Sequence, residues 1–190
     1  MLKTTLLVFA TALIATPSTS DACGNEVERT VEDDIRLVMR AEKQLEKGSY
    51  RQAGRTLKGW KFSSAKLRER TVDVRAVVAL RLRTSKDDLT WVVDHFKART
   101  ESKTGAKDMR FRAMLAEAYF ATGKSEEARA ILVDLNKRDL MPDEYAYVTL
   151  AKLSTGTERY ELWKTCRTKA KNKDVCELPK ETISAKRTAS

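Results

Sequence analysis

Arg112–Leu135 reads RAMLAEAYFATGKSEEARAILVDL. Apolar residues recur at three- and four-residue spacings on both sides of Gly123-Lys124. That pattern predicts a helix, a tight turn and a second helix opening at Ser125. Ala116 and Ala128 fall where two such helices would cross, and their small side chains permit close approach. Tyr119 and Leu132 are placed to fill the space beside the crossing. A larger residue at Ala128 is expected to overpack it, at about 1–3 kcal/mol.

The same style of patterning extends in both directions. Val27, Val31, Ile35, Val38, Ala41 and Leu45 predict one buried face of a first helix, which Gly48 ends. Ser49-Tyr50 opens a second, carrying Ala53 and Leu57. Ser63 or Ser64 is suited to cap a third, which runs to about Arg83 with Leu67, Val74, Val77, Val78 and Leu82. Asp87 and Asp88 suit the first turn of a fourth, with Leu89, Trp91, Val92, Val93 and Phe96. The fifth and sixth are the pair quoted above. Pro142 marks the start of a seventh, with Asp143 and Glu144 in its first turn and Tyr145, Val148, Leu150, Ala151 and Leu153 following. Gly156 breaks it. An eighth, from about Glu158 to Ala170, holds Tyr160, Leu162 and Trp163. With only 7 Gly and 3 Pro, an all-β fold lacks the turns it needs.

Overlaying the Gly48 turn on the Gly123 turn sets Ala41 on Ala116, Ala53 on Ala128 and Leu57 on Leu132. An internal period of this kind predicts a solenoid. The residues resemble the tetratricopeptide repeat, with Leu115, Ala116, Tyr119, Ala128 and Leu132 at the matching spacings. Arg112 stands where that family has its first aromatic, and Arg40 and Gln44 stand where it prefers Leu and Tyr. The resemblance covers about residues 26–169, with one well-formed repeat and three degenerate ones. It implies an all-α, right-handed helical-repeat solenoid of about four antiparallel helix pairs. It also implies partner binding on the concave face, lined by the first helix of each pair. Val38, Glu42 and Leu45 of the first pair and Arg110, Ala113, Glu117 and Phe120 of the third are expected there, joined by Arg75 of the second.

The ends read differently. Lys3, the apolar run Leu6–Ile14 and the small residues Ser20 and Ala22 have the form of a secretory signal peptide over 1–22. The repeat domain would span 23–178, and 179–190 reads as a disordered polar tail. Cleavage after Ala22 would expose Cys23, the position of a lipid anchor in bacterial lipoproteins. Ser20 and Asp21 fit that pattern poorly; ordinary cleavage, with Cys23 a free thiol or in a disulfide, is the alternative. In an oxidising compartment Cys166 and Cys176 read as a bridge. Closing that loop contributes about 2–3 kcal/mol if unstrained. Pairing of either with Cys23 also remains open.

The 37 basic and 27 acidic residues give a net charge of +10. Lys3 and Asp21 cancel, so removing 1–22 leaves that balance. Such charge favours anionic polymers or lipid head groups. In an exported protein nucleic acid is not the expected partner, and contact with membrane is expected only through an anchor at Cys23. Lys66, Arg68, Arg70, Arg75, Arg81 and Arg83 make the third helix basic, with Lys58, Trp60 and Lys61 nearby. Glu69 and Asp73 counterbalance it.

Chemistry is thinly signalled. The single His, His95, has no apparent nucleophile or acid beside it in sequence, and reads as a half-buried structural residue. Asp33-Asp34, Asp87-Asp88 and Glu126-Glu127 sit near helix starts, where they offset the helix dipole. There is no phosphate-binding Gly-rich loop, metal constellation or nucleophile turn, so no metal, cofactor or enzymatic activity is expected. The expected function is a non-catalytic interaction scaffold of the bacterial cell envelope, periplasmic or secreted, holding a protein or peptide partner. The alternative is a polyanion-binding module using the basic third helix.

Overall fold

A computed structural model describes residues 30–62, 64–83, 86–102 and 108–176, without the side chains of 86–88. The signal-peptide segment 1–22, Cys23 and the tail 179–190 lie outside the described residues, as does Val27. The described chain is all-α: α1 (Val31–Glu46), α2 (Tyr50–Thr56), α3 (Ala65–Leu82), α4 (Lys86–Glu101), α5 (Met109–Ala121), α6 (Ser125–Lys137), α7 (Glu144–Leu153) and α8 (Gly156–Lys169), then a 3-10 turn at Lys173–Cys176.

Local chemistry sets most boundaries. Thr30 caps α1 in a reciprocal box: its hydroxyl accepts from the Asp33 N–H, and the Asp33 carboxylate accepts from the Thr30 N–H. Asp108 accepts from the Arg110 N–H at the start of α5, and Asp143 from the Ala146 N–H at the start of α7. Ser64 stands at the cap position before α3 but makes no side-chain cap. Asp143 is the cap of α7 rather than part of its first turn, so Pro142 stands one residue outside it. Gly156 opens α8 instead of closing α7, which ends at Leu153.

The turn at Gly123 recurs. After α5, the Lys124 N–H bonds to the Tyr119 carbonyl and the Gly123 N–H to that of Phe120. After α1, Ser49 bonds back to Gln44 and Gly48 to Leu45 in the same way. Both glycines lie at positive φ, as this reversal requires. After α6, Leu140 bonds back to Leu135 and Asp139 to Asn136, with Asp139 in the glycine position at φ 52°.

Each helix packs on the next in the chain, and α1 on α3, α3 on α5 and α5 on α7. Among the described residues the backbones of the even-numbered helices do not pack on one another, although Arg129 of α6 pairs with Glu158 of α8. The odd-numbered helices therefore form a continuous layer, and each even-numbered helix packs on its odd-numbered neighbours in the chain. The core is correspondingly segmented. One apolar cluster joins α1, α2 and the start of α3, a second joins the end of α3 with α4 and α5, and the third joins α5 through α8. Tyr119 and Ile131 border both the second and the third.

Ala41, Ala53, Leu57, Ala116, Ala128 and Leu132 are wholly buried, Leu115 nearly so, and Tyr119 half-buried. Cys166 and Cys176 are bonded to each other, with Cα atoms 5.8 Å apart, inside the third cluster. That bond secures the 3-10 turn against α7 and α8.

Several apolar residues expected inside are outside. Val31 is 58% exposed and Ile35 37%. The reason is length: seven residues of α2 span about 10 Å, against about 24 Å for the sixteen of α1, so the first turns of α1 extend past their cover. Leu82, Trp91 and Tyr160 are also exposed.

Candidate functional site

The odd-numbered layer carries a groove of about 620 Å³. Its floor is apolar, from Val74 and Val77 of α3 and Phe111 and Met114 of α5. Leu45, Glu42 and Glu46 at the end of α1 form one side, and Arg110, Lys169 and Lys171 also line it. The start of α7, with Asp143, Glu144 and Tyr145, Tyr50 at the start of α2, Arg70, Asp73 and Arg81 of α3, and Pro142 complete the lining.

Behind it lies a second cavity of about 190 Å³, near the ends of α3, α5 and α7. Arg81 and Tyr145 border both. Arg81 is the hub. Its side chain is 7% exposed and makes an ion pair with Glu117, whose side chain is 6% exposed. It lies 3.7 Å from the Asp143 carboxylate. Its guanidinium sits 3.6 Å from the centre of the Tyr145 ring. The Tyr145 hydroxyl in turn shares a hydrogen bond with that of Tyr50, at 2.8 Å. A single chain of polar contacts thus joins α5, α3, α7 and α2.

The electrostatics follow from burial. The Glu117 carboxyl is pushed up to about 7 by loss of water, against the pull of Arg81 and with Asp143 adding to the rise. Burial works against charge on Arg81, but Glu117 and Asp143 outweigh it and hold the guanidinium above its ordinary value. Burial and the Tyr50 hydrogen bond raise the Tyr145 phenol. Lys152, on the small cavity, is held below its ordinary value by burial and by Arg83.

The concave-face expectations divide. Arg110, Glu42 and Leu45 line the groove. Glu117 and Phe120 line the smaller cavity, and Glu117 is an internal ion-pair partner rather than a presented charge. Val38 and Ala113 are wholly buried. Arg75 lines neither space: its guanidinium donates to the Leu57 carbonyl at 3.0 Å, closing the end of α2. In the sequence Arg81 belongs only to the basic run and Tyr50 and Tyr145 only to helix patterning, while Phe111 and Met114 carry no site signal. Arg81 lies 36 residues before Glu117 in the chain, and nothing local in the sequence marks the pairing.

The basic third helix does not present a single face. Arg70 bonds to Glu42 through two nitrogens, Arg68 donates to the Phe62 carbonyl, and Arg75 and Arg81 are placed as above. Lys66 and Arg83 are exposed, as are Lys58, Trp60 and Lys61 beyond α2. His95 is half-buried, with Nε2 2.8 Å from Asp73. Asp73 also lies 3.3 Å from Arg99, which pairs with Glu69, so this cluster ties α3 to α4.

Among the described residues no His, Cys, Asp or Glu group is arranged to hold a metal ion. No described helix is long and apolar enough to cross a membrane. Comparison with protein-family models, with curated proteins and with solved structures finds no match to this chain.

Proposed function

We propose that this protein is a non-catalytic scaffold, a right-handed superhelix of the tetratricopeptide type, that holds a segment of a partner protein along its odd-numbered helices. One observation carries the reading: the groove of about 620 Å³ is built mainly by the first helix of each pair, with Tyr50, Lys169 and Lys171 at its edge, and has an apolar floor of Val74, Val77, Phe111 and Met114. Grooves with an apolar floor and polar sides suit peptide segments, whose side chains fill the floor while charged groups fix register. The signal-like 1–22 segment supports a place in the bacterial cell envelope, periplasmic or secreted, with Cys23 as a lipid attachment point if cleavage falls before it.

Polyanion binding draws on the net charge of +10. It is the weaker reading, because Arg68, Arg70, Arg75 and Arg81 of α3 are engaged by internal acceptors. Affinity capture from envelope extract separates the two. The wild-type chain is expected to retain a specific protein that Met114→Glu, with its helicity verified by circular dichroism, does not. Equal retention by both, or elution of the bound material by salt alone, contradicts groove binding.

A further inference from the structure

The groove's charge differs from that of the protein around it. The chain carries +10 overall, yet five basic and five acidic side chains line the groove. Four of those five cations are already matched: Arg70 by Glu42, Arg81 by Glu117, Arg110 by Asp108 and Lys169 by Asp139. The field that draws anions to the outer surface is therefore locally cancelled here.

On the acidic side Glu46 is exposed and has no ion-pair partner among the described residues. It is the last residue of α1, where the carbonyl end of the helix adds negative potential to its own. A cation is the complement of that corner. Glu144 differs, because it sits in the first turn of α7, where the helix dipole offsets it. The apolar floor beside Glu46 asks for apolar side chains. Anionic ligands would meet Glu46 directly and find the groove's arginines occupied.

We propose that the groove selects a peptide in which apolar residues are interspersed with lysine or arginine, with Glu46 receiving the cation. The proposal rests on the groove-binding reading above and adds a charge preference to it. That preference runs against the overall charge of the protein, so non-specific attraction cannot mimic it.

The test is fluorescence anisotropy on the full chain at about 0.15 M salt, where screening acts over about 8 Å. Three rhodamine-labelled probes share the frame Val-Lys-Leu-Val-Lys-Leu-Val-Lys: as written, with every Lys replaced by Gln, and with every Lys replaced by Glu. The lysine probe is expected to bind about tenfold or more tighter than the glutamine probe, with the glutamate probe weakest. Glu46→Lys, an exposed change that leaves thermal unfolding in place, is expected to erase that order. If the glutamine or glutamate probe binds as tightly as the lysine probe, and Met114→Glu weakens all three, the groove reading stands and the charge preference is overturned. If no probe binds, or Met114→Glu changes nothing, the groove reading fails and the preference with it.

Discussion

Tyr50 and Tyr145 are 95 residues apart in the chain and meet hydroxyl to hydroxyl at 2.8 Å. Their rings stand edge to face, with centres 6.5 Å apart. Because α2 does not pack on α7, this contact reaches between the first and last helix pairs without passing through the core. It is expected to hold together two parts of the groove lining, to which both tyrosines belong. Tyr145→Phe and Tyr50→Phe each remove one half of the hydrogen bond, and each should cost about 1 kcal/mol in urea unfolding. The double variant should cost little more than either alone. Strictly additive losses would show that the two hydroxyls do not interact in solution.

Glu117 makes stability depend on pH. Its carboxyl is raised to about 7 in the folded state, from an ordinary value of 4.5. The folded chain thus keeps a proton, between those values, that the unfolded chain releases. Its contribution is fully present below about 4.5 and is lost as pH rises through about 7, a change on the order of 3 kcal/mol. Relative to Glu117→Gln, which does not titrate, the wild type should lose stability across that window. A difference that stays flat from pH 4.5 to 7.5 contradicts the assignment.

Ala128→Leu forces a larger side chain into a position with no exposed surface. It should cost about 1–3 kcal/mol, read from the denaturation midpoint. The conservative Ala128→Gly should also destabilise, by about 1 kcal/mol through helix propensity. If the leucine variant is as stable as the wild type, the α5–α6 crossing is looser than its buried alanines require.

Reducing the Cys166–Cys176 bond, whose two cysteines lie ten residues apart in sequence, should lower stability by about 2–3 kcal/mol. Hydrogen exchange should rise first in α8 and around Lys173–Cys176, which the bond holds against α7. Uniform loss of protection over the whole chain would instead mean that the four pairs unfold as one unit.

The helices were legible because their cause is local. Periodicity and the glycines at 48 and 123 act within a few residues. The match of Ala41, Ala53 and Leu57 to Ala116, Ala128 and Leu132 was readable for the same reason: close packing demands small residues at set spacings. Exposure of Val31 and Ile35 was not, since it depends on how far α2 extends over α1. The site was the least legible part. Arg75 and Arg81 look alike in a basic helix, yet one closes α2 at the Leu57 carbonyl and the other is buried beside Glu117. Which way each arginine turns depends on partners 18 and 36 residues away. The Tyr50–Tyr145 contact left no sequence signal, because nothing local requires it.

The central claim is that a partner lies along the odd-numbered helices. A photo-crosslinking amino acid placed at Met114, on the groove floor, tests it directly in intact cells. The matched control is Ala130, an exposed position on α6 that does not line the groove. Groove binding predicts a discrete crosslinked band from Met114 and none from Ala130. Equal labelling at both positions, or labelling from Ala130 alone, contradicts it.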